Sequence, residues 1–331
     1  MEFHINPACW HHYPPEALGE LIESHPLLFP ENRRPGGGDE PQYEPIQRKD
    51  SPYTDPWGCL WVTSDDGISG LVRGHPLESW DDYAALSAPD PERTDGLYPI
   101  DWAEIERQVR RAKGRGELVS GSLPHGFAFL RLQDLRGYEN LMADMADGHP
   151  NLQRLVDRVS DFNAEIVRRW IELEPDLFYF PEDLGMQSGP MISPPHFRRY
   201  IMPVYQRLMA PARDNGIAVH MHCDGDIRTL AKDLVQCGVE VLNLQDQING
   251  IDWISRNLAG KICIDLDIDR QSVTPHGTPL RIDALIREEV EKLGRREGGL
   301  MMSYGLYPGV PLENIKALMD AMETYAFYHS G

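Results

Sequence analysis

The stretch Gly216-Ile-Ala-Val-His-Met-His-Cys-Asp-Gly-Asp-Ile227 decides the fold. It begins as an apolar strand and ends in a polar Asp-Gly-Asp turn. Successive side chains of a strand point to opposite faces, so His220, His222 and Asp224 share one face, and Val219, Met221 and Cys223 the other. Beyond Asp226, Leu230, Leu234 and Val235 fall on one helical stripe, with Asp224 or Asp226 as the expected N-cap. A strand, a polar turn and a helix make one βα unit, whose chemistry belongs at the carboxyl end of the strand. Two imidazoles and a carboxylate there suit metal ligation or proton transfer. The plainer alternative is a packed histidine beside an ordinary Asp-Gly turn.

The same rhythm extends in both directions. Strands are expected near 117–123, 176–180, 239–244, 261–266 and 298–304, separated by helices near 137–146, 150–173, 193–215, 226–237, 251–258, 280–294 and 314–328. Repeated βα units imply a parallel sheet with right-handed crossovers. The length of 331 residues fits a (β/α)8 TIM-like barrel over residues 101–331, with an irregular N-terminal extension over 1–100. A doubly wound open sheet is the alternative. No GxGxxG or Walker glycine pattern supports nucleotide binding.

The extension is rich in proline, aromatics and acids. Pro35-Gly-Gly-Gly-Asp39 reads as a loop, and Tyr53 to Val62, followed by Asp65-Asp-Gly67, as a hairpin packed by aromatics. Trp10-His11-His12-Tyr13 looks like a metal cluster, but adjacent histidines rarely converge on one ion, so packing or interaction is the expectation there.

The carboxyl ends of the later strands collect polar side chains. Glu182, Asp183 and Gln187 follow the strand near 176–180. Asn243, Gln245 and Gln247 alternate on one face of the next but one, and Asp265, Asp267 and Asp269 on one face of the strand after that. Tyr304 closes the last. In a barrel these ends line one pocket. Carboxylates gathered in one pocket repel unless a cation or histidine compensates, so a divalent metal or a cationic substrate is expected. His125, in a turn after a short strand, is within reach of such a pocket.

Composition narrows the function classes. Hydrophobic residues make up 41% and charged residues 25%, ordinary values for a globular domain. Net charge is −20, from 32 Lys+Arg against 52 Asp+Glu, which opposes nucleic-acid binding. No apolar run reaches the roughly 20 residues a bilayer requires. The first residues lack a basic segment followed by an apolar core, so the cytoplasm is the expected compartment. Five scattered cysteines without a CxxC pair are expected to be reduced thiols.

Five segments carry a resemblance. They are Asp183-Leu-Gly-Met-Gln187, Ile192-Ser-Pro-Pro-His-Phe197, His222-Cys-Asp-Gly-Asp226, Gly238-Val-Glu-Val-Leu-Asn-Leu-Gln245 and Gly305-Leu-Tyr-Pro-Gly-Val-Pro-Leu-Glu-Asn314. In this order they resemble the uroporphyrinogen decarboxylase superfamily, which includes the methylcobamide:coenzyme M methyltransferases. The resemblance covers about residues 100–330 and implies a (β/α)8 barrel. The decarboxylase branch carries an N-terminal Arg-Gln-Ala-Gly-Arg motif for porphyrinogen carboxylates, which this chain lacks. The methyltransferase branch holds zinc through His-x-Cys and a later cysteine. Here His222 matches the histidine, Asp224 stands at the first cysteine and Tyr304 at the second, so a soft thiolate site becomes a harder one.

The resemblance therefore implies a corrinoid-linked methyltransferase with a small-molecule substrate and a corrinoid or its carrier protein as partner. His222, Asp224 and His220 are the expected metal ligands, with zinc as the ion. Asp183 and Tyr304 join His222 and Asp224 as catalytic candidates, and Glu182, Gln187, Gln245, Asp267 and Asp269 are expected to bind substrate. The alternatives are a decarboxylase or lyase acting on a carboxylic acid or tetrapyrrole, and a non-catalytic ligand-binding barrel.

Overall fold

Every strand expected after residue 115 is present in the computed structural model, which describes residues 1–30 and 42–329. We number the strands of the main sheet β1 (Glu2–Ile5), β2 (Ser120–Ser122), β3 (Leu177–Pro181), β4 (Ala218–Cys223), β5 (Val241–Gln245), β6 (Cys263–Asp267) and β7 (Leu300–Leu306). The glycine loop at 35–39 lies outside the described residues.

Hydrogen-bonded neighbours run β1-β7-β6-β5-β4-β3-β2. The pairs β1–β7, β6–β7, β2–β3 and β3–β4 are parallel. From β2 to β7 sequence neighbours are sheet neighbours, and the first strand pairs with the last, an order that βα repeats favour. One expectation is corrected, and another is met in part. β1 lies inside the stretch expected to be irregular, because an alternation of four residues around buried Phe3 is too short to stand out. The described residues form an α/β fold with seven strands in this sheet, where a closed eight-stranded barrel was expected. Between β1 and β2 the chain uses its extended residues in a separate sheet, Tyr53–Thr54, Leu60–Val62 and Leu71–Gly74.

Internal contacts divide the chain into two compact units. The terminal unit is Met1–Pro52, Val62–Leu71 and Leu244–Gly331; the central unit is Tyr53–Trp61 and Val72–Asn243. Among the described residues no helix is long and apolar enough to cross a membrane.

In the central unit the helix Pro150–Ile171 buries Leu152, Leu155, Val156, Val159, Phe162 and Ile166, a stripe at helical spacing. Burying each such side chain contributes about 2 kcal/mol. The hairpin at 53–62 does pack aromatics, and it also holds an acid. Asp55 accepts from the Trp57 and Cys59 amides, from Trp61 Nε1 at 3.0 Å and from Arg131 Nη1 at 2.6 Å, with both charged side chains almost wholly buried. Such a pair fixes the hairpin, since removing either partner would strand a buried charge. The helix expected at 226–237 begins later, at Ala231, and carries no side-chain cap. Asp226 instead closes a turn, accepting from the Arg228 amide at 3.1 Å and from its guanidinium at 2.7 Å.

In the terminal unit the helix Pro279–Leu293 carries a fully buried acid, Glu289, facing Asp246, which is 1% exposed. Among the described residues no donor reaches either Glu289 carboxyl oxygen. Burial pushes its pKa well up, and the Asp246 charge adds to this; Asp246 is raised by burial first, with the Asp269 charge adding to it. Both shifts favour keeping a proton on the pair. A carboxyl group whose pKa is raised on folding contributes fully below its unfolded value of 4.5, and that contribution is lost as pH rises through the folded value. Glu289→Gln keeps a donor facing Asp246 and removes the titration. We expect it to match wild type at about pH 4 and to be more stable by about 1–2 kcal/mol at about pH 8 in urea unfolding. A stability difference that does not change with pH would refute a raised Glu289 pKa.

Candidate active site

The site is built where β3 and β4 end side by side in the central unit. Their register places Pro181 opposite His222, so the residues that follow each strand, Glu182-Asp183 and Asp224, emerge together. The strand face is as expected: burial alternates along Ala218–Cys223, with Val219, Met221 and Cys223 fully buried and His220 and His222 partly accessible.

Asp183 is the centre. Its Oδ1 lies 3.4 Å from His222 Nε2 and accepts from the Asp224 amide at 3.1 Å; its Oδ2 lies 3.3 Å from His125 Nε2. The two imidazole rings are 5.8 Å apart at 51°. Asp224 Oδ1 is 3.6 Å from His222 Nε2. On its other side His222 meets Asn243: Nδ1 is 2.5 Å from the amide oxygen, so Nδ1 carries a proton and Nε2 faces the carboxylates. His125 is half-exposed in its turn, and the next residue, Gly126, donates its amide to Pro181 O at 2.9 Å.

The electrostatics follow from this geometry. Burial pulls the His222 pKa down, but the hydrogen bond to Asp183 and the charges of Asp224 and Asp183 outweigh it and raise the pKa to about 9. His125 is also raised, with burial opposed by Asp183. Burial acts to raise Asp183, yet the two histidines hold it far below the usual carboxylate range. Near neutral pH, then, Asp183 is a carboxylate beside the His222 imidazolium, with the His125 ring on its other side.

Two glycines make the close approach of the loops possible. Gly185 donates its amide to Asp224 O at 3.0 Å, and the Asp226 amide donates to Met186 O at 2.8 Å. A Cβ on Gly225 would stand 2.1 Å from the Gly185 carbonyl carbon.

The structure brings together His222, Asp183 and Asp224 of the expected set and adds His125. A carboxylate oxygen of Asp183 and one ring nitrogen from each of His125 and His222 lie within 4.8 Å of one another, a set that could hold a metal ion. His220 is one pleat earlier, with its ring edge-on to Tyr179 at 4.8 Å. Glu182 turns the other way: fully buried, it accepts from the Ala128, Phe129 and Leu130 amides at 2.7–3.0 Å and from Tyr205 Oη at 3.2 Å. Burial raises its pKa to about 7 against those donors, and its role is to cap the helix Phe129–Arg136. Gln187 is exposed at the tip of the hairpin formed by Gly185–Met186 and Gly189–Pro190.

The remaining expected residues belong to the terminal unit. Asp267 is buried and paired with Arg270 Nη2 at 2.6 Å. Asp269 accepts from Ser272 N at 3.0 Å and Thr274 N at 3.3 Å, closing the turn into the helix Val273–His276. Tyr304 is 1% exposed; its hydroxyl lies 3.0 Å from Thr274 Oγ1, and burial pushes its pKa up. Gln245 is buried at the end of β5.

A model of the family described as Uroporphyrinogen decarboxylase (URO-D) matches residues 66–325. The chain belongs to the uroporphyrinogen decarboxylase (URO-D) family. The match begins ahead of residue 100, where the resemblance in the motifs starts. Two curated proteins named Uroporphyrinogen decarboxylase, from two strains of Thermus thermophilus, are each 26% identical over 180 residues, 52% of this chain and 48% of theirs. The chain thus spans about half the length of these curated URO-D relatives. Among solved structures, a methyltransferase from Methanosarcina mazei aligns with a TM-score of 0.60 and 18% identity, over 82% of this chain and 77% of that one, a likeness of fold.

Cys223 stands next to His222 in the chain, but its thiol does not join this site. Its thiol is fully buried on the opposite strand face, Sγ accepts from the Leu184 amide at 3.2 Å, and burial holds its pKa well up. A buried thiol is a poor metal ligand. The two-histidine, one-carboxylate set is the donor group that fits a divalent ion here.

Proposed function

We propose that this URO-D family member is a methyltransferase with a divalent ion, zinc first, held by His125, Asp183 and His222, and a corrinoid or its carrier protein as methyl partner. The observation that carries this reading is the convergence of His125 Nε2 and His222 Nε2 on the Asp183 carboxylate. Three protein ligands with an open position are the pattern of a catalytic rather than a structural ion. Bound there, the ion supplies Lewis acidity toward the heteroatom that carries the methyl group. The likeness in fold to a methyltransferase supports this class.

The chain's own residues have separable tasks. Asn243 fixes the ring of His222 and its tautomer, which presents Nε2 to the ion. Asp224, at 3.6 Å from that nitrogen, orients the substrate or takes a proton from it. Cys223 stays in the core. Because the ion must displace the proton on His222, affinity rises with pH up to about 9 and then levels.

Metal analysis of the purified protein is the test, paired with methylation of an added reduced corrinoid by candidate methyl donors. Zinc present in wild type and lost in His222→Ala, together with corrinoid methylation, is the expected result. Protein that neither contains nor takes up a divalent ion would end this reading.

A second reading is favoured by the raised pKa of His222. An imidazolium beside a substrate carboxylate can deliver its Nε2 proton to the carbanion left when carbon dioxide departs, and recover a proton from water. The names of the curated relatives support it. Release of carbon dioxide from candidate acids, lost in His222→Ala, would favour it over methyl transfer.

A further inference from the structure

Two histidines and an aspartate meet on the surface of the terminal unit, in residues the proposed chemistry does not use. His11 and His12 end the one-turn helix Cys9–His12. Neighbouring helical residues diverge by about 100°, which is why ligation by both was not expected. Yet their rings lie 4.7 Å apart at 39°, because both reach the same carboxylate. His12 Nε2 is 2.9 Å from Asp65 Oδ2, and His11 Nε2 is 3.7 Å from Asp65 Oδ1. One donor atom from each of the three lies within 4.8 Å of the others.

The surroundings hold this arrangement in place. His11 Nδ1 is 3.0 Å from Tyr43 Oη, which orients the ring and leaves Nε2 on the Asp65 side. Asp65 sits in a turn in which Thr63 Oγ1 donates to its carbonyl at 3.1 Å. Two residues on, Gly67 has a φ of +84°, and a Cβ there would stand 2.5 Å from Ala8 N. The turn carrying Asp65 therefore presses against Ala8, the residue just before the histidine helix. His11, His12 and Asp65 are 37–43% exposed, which gives an ion an entry path and water to complete its shell.

We propose that His11, His12 and Asp65 form a second divalent-metal site, a zinc clasp joining the helix Cys9–His12 to the turn at residues 63–67. Imidazole and carboxylate donors suit zinc, and three of them with one water make a tetrahedral shell. The clasp is independent of the ion at Asp183.

Equilibrium dialysis of the full chain against Zn2+ tests it. His11→Ala/His12→Ala is expected to take up one equivalent fewer than wild type, and Asp65→Asn to bind that equivalent about 100-fold more weakly. Zinc is expected to raise the melting temperature of wild type by more than that of either variant. Asp183→Ala is the separate arm: it reports on the site of the proposed methyl transfer, and whether it loses an equivalent leaves the first comparison unchanged. Asp65→Asn is a mild surface change, so it remains informative if the double variant folds poorly. Wild-type zinc uptake by a folded double variant, or wild-type affinity in Asp65→Asn, would overturn the clasp.

Discussion

Asp183→Asn is expected to lower the His222 pKa from about 9 toward its ordinary 6.5 and to weaken divalent-metal binding roughly 100-fold or more. The substitution is nearly isosteric and leaves an amide where a carboxylate lay between two imidazoles. Burial of the His222 ring, which favours the neutral form, then loses its largest opponent. Asp224, 3.6 Å from Nε2, is the carboxylate that remains, so the pKa stays somewhat above what burial alone would set. The pH dependence of stability has a defined sign. His222 has a raised folded pKa, so its contribution is complete below 6.5 and is lost as pH rises through about 9. Asp183 has a depressed folded pKa, so its contribution is present above its unfolded value of 3.8 and is lost as pH falls toward the folded value. Wild type is therefore most stabilised by this cluster between those limits, and Asp183→Asn flattens the profile at both ends. Titration of the His222 ring signals by NMR in metal-free protein, with urea unfolding across pH, checks this. An unchanged His222 pKa in the variant would show that Asp183 does not hold the ring charged.

Most strands after residue 115 were legible because they are short apolar runs bounded by turn residues, and the helices between them have long, regular stripes such as Leu152 to Ile166. The face shared by His220 and His222 followed from strand parity alone. Parity could not show which neighbouring strand faces His222, and that choice makes the site. Asp183 reaches His222 because β3 pairs with β4 in a register that sets Pro181 beside His222, a long-range fact with no local signature. His125 joined for a similar reason: its turn is tied to Pro181 through the Gly126 amide. Glu182 shows the opposite case. It is adjacent to Asp183 in the chain, but alternation points it at the amino end of the helix Phe129–Arg136, where three amides take up its oxygens. Asp269 and Tyr304 were chosen for their chemistry, and both find structural partners around Thr274. β1 was missed because four residues of Glu-Phe-His-Ile are too few to distinguish a strand from the irregular chain around them.

Gly225→Ala is expected to destabilise the protein by roughly 4 kcal/mol and to abolish metal binding at His222 even where the chain still folds. Two independent penalties act at this residue. Its φ of +81° lies in the left-handed region, which costs an L-residue with a side chain about 1 kcal/mol or more. The larger penalty is steric: the added Cβ would stand 2.1 Å from the Gly185 carbonyl carbon and 2.3 Å from its oxygen, both backbone atoms that no rotamer change can move. Relief requires the loop after β3 to part from the loop after β4, and these loops carry Asp183 and Asp224. The hydrogen bonds from Gly185 N to Asp224 O and from Asp226 N to Met186 O would break with them. Gly185→Ala meets the same contact from the other side, at 2.5 Å from the Gly225 carbonyl carbon, but without a positive φ it should cost less. Gly216→Ala is the control for backbone conformation: its φ is +72° and nothing lies within 4 Å of an added Cβ, so only the smaller penalty of about 1 kcal/mol applies. Urea unfolding of the three variants should order them Gly225, Gly185, Gly216 from the largest loss to the smallest. Equal losses at Gly225 and Gly216 would mean that backbone conformation alone sets the cost, and that the two loops can separate without harm to the site.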